Sequence, residues 1–242
     1  MLPADEMRPT AYDRVATMFS PKGRLYQVEY ASKIVEQGTI GVGIIYDKGV
    51  LLGAEVNVTS KLMVPKSIEK LFKIDEHVGA ISAGLVGDAR RIVSIAREQA
   101  QHNRVLYGEH IPISVLVKEI CAVKQLFTQY AGMRPFGVSL IIGGVDSDGA
   151  RRLFETEPSG ALAEYKAIAI GRGKNKAMEL LEKKVNDRLT RTKAIRLVVD
   201  AIKASKEKGE KLKVDQIDMA YIEHDSGFVR MSDQELRNVV EK

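Results

Sequence analysis

The stretch that decides the fold is Pro21-Lys22-Gly23-Arg24-Leu25-Tyr26-Gln27-Val28-Glu29-Tyr30-Ala31-Ser32-Lys33-Ile34-Val35-Glu36-Gln37-Gly38. Its spacing predicts one helix with marked ends: Pro21 and Gly23 break what precedes, and Gly38 stands as a C′ stop. At ~100° per residue, Glu29, Lys33, Glu36 and Gln37 fall on one narrow arc. Leu25, Tyr26, Val28, Tyr30, Ala31, Ile34 and Val35 fill the rest, interrupted by Gln27 and Ser32. A helix resting on one core needs an apolar stripe of roughly 100°, and this one is apolar over about twice that. One reading is a central helix buried within its own domain. The other, which the arc favours, is a helix that packs on its own domain with one flank and on a neighbouring subunit with the other. The helix stands ahead of the first strand, where a monomer has no evident use for it.

Outward from this stretch, composition sets the bounds. The chain has 242 residues and is 45% hydrophobic, enough for a sizeable core. It contains no apolar run long enough for a transmembrane helix. Met1-Leu2-Pro3-Ala4-Asp5-Glu6 has early acids and no apolar h-region, so no signal peptide is expected. A single cysteine, Cys121, cannot close an internal disulfide; it agrees with a reducing, cytoplasmic home and is expected to pack. The net charge is +5, and residues 171–213 carry 14 Lys and Arg against 6 Asp and Glu. That segment has no Phe, Tyr or Trp to stack bases, and its charges alternate with apolar positions at helical spacing. Solvated helix faces are expected there, and no nucleic acid.

In chain order, residues 1–11 read as mobile loop, part of an N-terminal segment 1–20 set apart from a single domain over 21–242. Strands are expected at 39–46 and 50–54 around a turn at Asp47-Lys48-Gly49, then at 70–74 and 77–83. A helix follows with Ala89, Ile92, Val93, Ala96 and Ala100 on its buried face, and a second from Pro112 with Val117, Ile120, Lys124, Phe127 and Ala131 in one line up to Gly132. Strands return at 138–145, 152–155 and, as one strand, 165–170. Two helices are lined by Ala177, Leu180, Leu181 and Val185, and by Ala194, Leu197, Val198, Ala201, Ile202 and Ser205. A hairpin over 217–222 and 227–230 precedes a short helix capped by Ser232 and Glu235. Strands, helix pair, strands, helix pair, strands is an α+β order, and the many strands apolar on both faces suggest stacked sheets with a helix layer outside each.

Most motifs with chemical overtones have a plainer reading. Gly171-Arg172-Gly173-Lys174 lacks the spacing of a phosphate-binding P-loop and reads as a strand-to-helix turn. Asp146-Ser147-Asp148-Gly149 lacks the closing glutamate of a calcium loop and reads as a hairpin turn. His77, His102, His110 and His224 show no ligand spacing, so no metal and no cofactor are expected. One constellation survives: Gly38-Thr39 at a strand start, Glu55 at the end of the next strand, and Lys70 after a loop. An N-terminal threonine can act as nucleophile with its own amine as base, which here would require cleavage after Gly38.

At these residues the chain resembles a known family. Tyr12-Asp13-Arg14 followed by Phe19-Ser20-Pro21-x-Gly23-Arg24-Leu25-x-Gln27-Val28-Glu29-Tyr30-Ala31 is similar to the α-type signature of the proteasome core particle. Ser67-Ile68-Glu69-Lys70, Ser82 to Arg90, Tyr130-x-Gly132-x-Arg134-Pro135-Phe136-Gly137-Val138-Ser139-Leu140 and Ala169-Ile170-Gly171 extend the likeness to the C-terminus, in the archaeal form. The resemblance implies a four-layer αββα sandwich of the Ntn-hydrolase type with an α-type N-terminal helix. It implies homo-heptameric α rings capping rings of catalytic β subunits, with unfolded protein substrates passing through. It also implies that this chain is not itself an enzyme. Thr39 falls at the β-type nucleophile position, and Glu55 and Lys70 at the acid and lysine positions, but Thr192 and Arg172 replace the further acid and serine. The helix before Thr39 is no cleavable propeptide, so the amine stays acylated; the alternative is a self-processing threonine hydrolase that frees it. The resemblance further implies a gate held by Tyr12, Asp13, Pro21 and Tyr30. It also implies a pocket of Leu25, Gly38, Lys70, Gly84, Leu85 and Val86 that takes the hydrophobic–Tyr–any tail of an activator ATPase, Lys70 pairing with the tail carboxylate. No membrane partner is expected.

Overall fold

A computed structural model describes residues 15–240 except 58–59, 61, 65–66, 208–211 and 213. The expected helix α1 spans Tyr26–Gln37. It is followed by β1 (Gly41–Tyr46), β2 (Gly49–Glu55), β3 (Leu71–Asp75) and β4 (Val78–Gly84). Then come α2 (Val86–Tyr107) and α3 (Ile113–Leu126), and the strands β5 (Val138–Val145), β6 (Arg151–Thr156), β7 (Leu162–Glu164) and β8 (Ala167–Ile170). The helices α4 (Lys174–Lys184) and α5 (Arg191–Ser205) precede a 3₁₀ turn at Val214–Gln216, the hairpin β9 (Ile217–Glu223) and β10 (Gly227–Arg230), and α6 (Asp233–Val240).

The strands form two antiparallel five-stranded sheets, ordered β10-β9-β2-β1-β8 and β3-β4-β5-β6-β7. β2 and β5 are buried along their whole length, as two-sided apolar strands must be. Between the sheets lies a core of Val50, Leu52, Ile81, Ile141, Leu153, Ile168 and their neighbours. Outside the second sheet, α2 and α3 press Ala89, Ile92, Val93, Ala96, Leu116, Val117 and Ile120 onto Val78, Ala80, Leu140 and Ile142. Outside the first, α4 and α5 press Ala177, Leu181, Ala194, Val198 and Ile202 onto Ile40, Val42, Ile44 and Met219. The result is the expected αββα sandwich. No helix among the described residues is long and apolar enough to cross a membrane.

Several expectations are corrected. The strand expected over 165–170 forms as β8 from Ala167, but a further strand just before it was missed: β7 ends the second sheet against β6, the chain crosses at Tyr165-Lys166, and β8 joins the first sheet against β1. Apolar content alone does not say which sheet a strand enters. α3 stops at Leu126 rather than running to Gly132, although Phe127 still packs on Phe136 at 4.5 Å between ring centroids. Gly38 does end α1, but its φ of −65° and ψ of 150° are extended, not left-handed. It must be glycine for space: a β-carbon there would lie 2.5 Å from Gly84 N.

The opening stretch enters the fold through a tight turn. Gly23 N donates to Ser20 O at 2.8 Å, placing Pro21 second in a four-residue turn that suits its fixed φ. Across the described part of α1 only Ala31 and Val35 are buried, Val35 reaching into the inter-sheet core. The helix lies on β4 and β5. Tyr30 and Ile34 stay 38% and 36% exposed, beside Leu85 at 39%. One flank of the wide apolar arc is thus uncovered in the single chain.

Candidate functional site at the Thr39 end of the sandwich

Where α1 runs into β1, three elements converge on Thr39. Lys70, at the start of β3, donates from Nζ to Thr39 O at 2.6 Å and also contacts Thr39 Oγ1. Thr39 Oγ1 in turn donates to Glu55 O at 2.8 Å. Glu55 is buried and its carboxylate takes Lys206 Nζ, from the end of α5, at 2.5 Å. Arg172 N donates to Gly38 O at 2.7 Å, tying the turn after β8 to the residue before Thr39. Burial pulls the Lys70 ammonium down to about 7, with nearby Glu55 opposing the shift.

This arrangement defines what the site can and cannot do. A hydroxyl and a lysine of lowered pKa are in contact, as nucleophilic catalysis requires. Yet the hydroxyl proton is held by a backbone carbonyl, and Thr39 N lies inside the Gly38–Thr39 peptide bond, where an amide nitrogen has no basicity to accept it. Lys206 was not legible as the partner of Glu55: it lies 151 residues further on, in a lysine-rich stretch of the sequence.

The remaining expected residues divide into two places. Gly38, Lys70, Gly84, Leu85 and Val86 come together at the C-terminal end of α1 and the end of β4; Ser82 N bonds Lys70 O at 3.0 Å, and Gly38 stacks on Gly84. Lys70 itself is only 5% exposed and turned inward onto Thr39. Leu25 caps the other end of α1, 12 residues away, on the order of 18 Å along the axis. Pro21 is exposed, and Tyr30 stacks on Tyr26 with centroids 6.4 Å apart and Lys33 Nζ 5.7 Å from its ring. Tyr12 and Asp13 lie outside the described residues.

The plainer readings of the other motifs stand. Gly173 caps α4, and Lys174 pairs with Glu155 at 2.9 Å rather than waiting for a phosphate. Asp146 closes a turn and accepts Ile113 N at the head of α3. The histidines behave differently from expectation: His77 and His110, without ligand spacing in sequence, meet with ring centroids 4.5 Å apart and planes tilted by 43°, beside the buried Asp75.

A four-layer sandwich with threonine, lysine and acid at one mouth is an Ntn-hydrolase-type scaffold. The family described as "Proteasome subunit" matches residues 35–222, and the N-terminal signature of the α-type proteasome subunits matches residues 12–33. The chain belongs to the proteasome subunit family, in its α type. It is 49% identical over 237 residues to the proteasome alpha subunit of Methanothermobacter thermautotrophicus, covering 98% of this chain and 94% of that one. It is 49% identical to the protein of the same name from Methanocaldococcus jannaschii, covering 97% and 88%, and 48% identical to that of Methanopyrus kandleri, covering 96% and 93%.

Proposed function

We propose that this chain is a non-catalytic α subunit that assembles into heptameric rings on proteasome β subunits, gates the entry of unfolded protein and docks activator ATPases. The observation that carries the reading is α1. It places Thr39 N inside a peptide bond, where no free amine can act as base. The same helix leaves Tyr30, Ile34 and Leu85 uncovered, an apolar strip that suits contact with the next copy. The segment 1–20 is then the gate, with Tyr12, Asp13, Pro21 and Tyr30 holding its open form.

Docking follows from the two clusters at the ends of α1. Leu25 of one copy and Gly38, Gly84, Leu85, Val86 and Lys70 of the next would line one pocket between subunits. Lys70 has three ammonium protons, two of them directed at Thr39; the third is suited to a terminal carboxylate, whose charge would also oppose the desolvation that lowers its pKa. Native mass spectrometry tests the assembly: heptamers and stacks with a β partner are expected, and a persistent monomer under both conditions would defeat it. The competing reading, self-processing at Thr39, predicts a mature chain that begins there; an intact mass including residues before Thr39 excludes it.

A further inference from the structure

We propose that Asp75, His77 and His110 bind a divalent transition-metal ion, Zn²⁺ foremost, at the end of the sandwich opposite Thr39. Asp75 closes β3, His77 sits in the β3–β4 turn, and His110 lies in the connection between α2 and α3. One ligand atom from each comes within 4.8 Å of the others.

The tautomer of His77 carries the argument. Its Nε2 lies 2.9 Å from Ile111 O. A carbonyl only accepts, so Nε2 holds the ring proton and Nδ1 of the neutral ring presents a lone pair. That Nδ1 is buried without a hydrogen-bond partner, on a side chain nine-tenths buried, and faces Asp75 Oδ2 at 3.7 Å. His110 Nδ1 lies 3.2 Å from the same oxygen. Two acceptors facing each other out of water are unfavourable unless something positive stands between them. A proton on His77 Nδ1, shared with Asp75 Oδ2, is the alternative occupant. A metal ion needs the lone pair as it stands.

Two of the three ligand-atom separations suit tetrahedral coordination, and the third lies within 4.8 Å. Bonds of ~2.0–2.2 Å set neighbouring ligand atoms roughly 3.3–3.5 Å apart, against 3.2 and 3.7 Å here. The outer contacts are those that orient metal ligands: His77 Nε2–H donates to a backbone carbonyl, and Asp75 Oδ1 accepts Glu76 N at 2.8 Å with Arg104 Nη1 at 3.8 Å, while Oδ2 meets His110 Nδ1, whose bond to it the ion would replace. Two imidazoles favour Zn²⁺ or its neighbours over Ca²⁺ or Mg²⁺. Access runs through a cleft of about 600 Å³ lined by His77, His110, Glu76, Asp146 and Glu223, whose acids favour cations. The ion would staple the β3–β4 hairpin to the α2–α3 connection.

The test uses the full chain stripped with EDTA, then titrated with Co²⁺ as a visible probe and with Zn²⁺. Expected is saturable uptake of about one Co²⁺ per chain with tetrahedral-type visible absorption, displaced by Zn²⁺. At a hundredfold excess over Kd, Zn²⁺ should raise Tm by about 5–10 °C. His110→Ala, whose side chain is partly exposed and which should fold, must lose both responses, and Asp75→Asn should weaken uptake by roughly 10–100-fold. His102→Ala, on the exposed face of α2, should retain them. Absence of saturable Co²⁺ uptake, or equal uptake by His110→Ala, overturns the proposal and leaves a proton as the occupant.

Discussion

Replacing Gly38 with alanine isolates the contact that seats α1 on the sandwich. The backbone there has φ −65° and ψ 150°, which alanine adopts without strain. By conformational entropy alone the change should stabilise by about 0.4–1 kcal/mol. Against this, the new methyl would lie 2.5 Å from Gly84 N, 3.2 Å from Val35 O and 3.3 Å from Ala83 C, all backbone atoms that cannot rotate away. Overpacking of this kind costs about 1–3 kcal/mol. Because every obstacle is backbone, the upper part of that range applies, and the net loss is about 1–2 kcal/mol, or roughly 2–8 °C in Tm for a chain of this size. Gly87→Ala is the matched control. It lies in the first turn of α2 with nothing within 4 Å of the added carbon, and should gain about 0.5–1 kcal/mol. Thermal unfolding followed by circular dichroism reads both. If Gly38→Ala unfolds at or above the wild-type temperature, the close approach of α1 to β4 does not hold the helix and the account of Gly38 is wrong.

Other outcomes are expected. Lys70→Ala should abolish activator-stimulated proteolysis by the assembled core while ring assembly, read by native mass spectrometry, persists; undiminished stimulation removes Lys70 from the pocket. Deleting residues 2–12 should raise basal peptide hydrolysis by the core, and an unchanged rate counts against a gate in this segment. Lys124 is wholly buried, with Nζ bonded to Val138 O, Thr156 O and Thr156 Oγ1, and burial lowers it to about 7. Between about pH 7 and the ordinary lysine range the unfolded chain therefore binds the extra proton, so stability should rise with pH across that window, by up to about 2.5 kcal/mol from pH 7 to 9. Urea midpoints at the two pH values should show a smaller rise in Lys124→Met; equal rises would mean that Lys124 does not supply it.

Much of the fold was legible because burial follows period. The buried face of α2 falls on the residues that the 3.6-residue spacing marks, and that of α5 adds only Ile195 and Val199. The capping box also forms: Ser232 N donates to Glu235 Oε2 at 2.7 Å and Glu235 N to Ser232 Oγ at 3.3 Å. Lys124 stood on an apolar line, and its place there meant burial, although its partners on β5 and β6 could not be read from a helix pattern. What stayed hidden depends on contacts between distant segments. The crossing at Tyr165-Lys166, the Glu55–Lys206 pair and the meeting of Asp75, His77 and His110 arise from sheet order and layer stacking, neither of which leaves a local spacing. Gly38 shows a subtler limit: sequence marked it as special, but its reason is the proximity of Gly84, a residue on another element.

The length of α1 separates Leu25 from Gly38 within one chain, so neither end alone can form the proposed pocket. On the proposed docking, each pocket would be a property of a junction, and a lone or misjoined copy would offer an activator nothing to hold. Activator engagement would thereby double as an inspection of the ring, admitting substrate only where the circle of neighbours is complete.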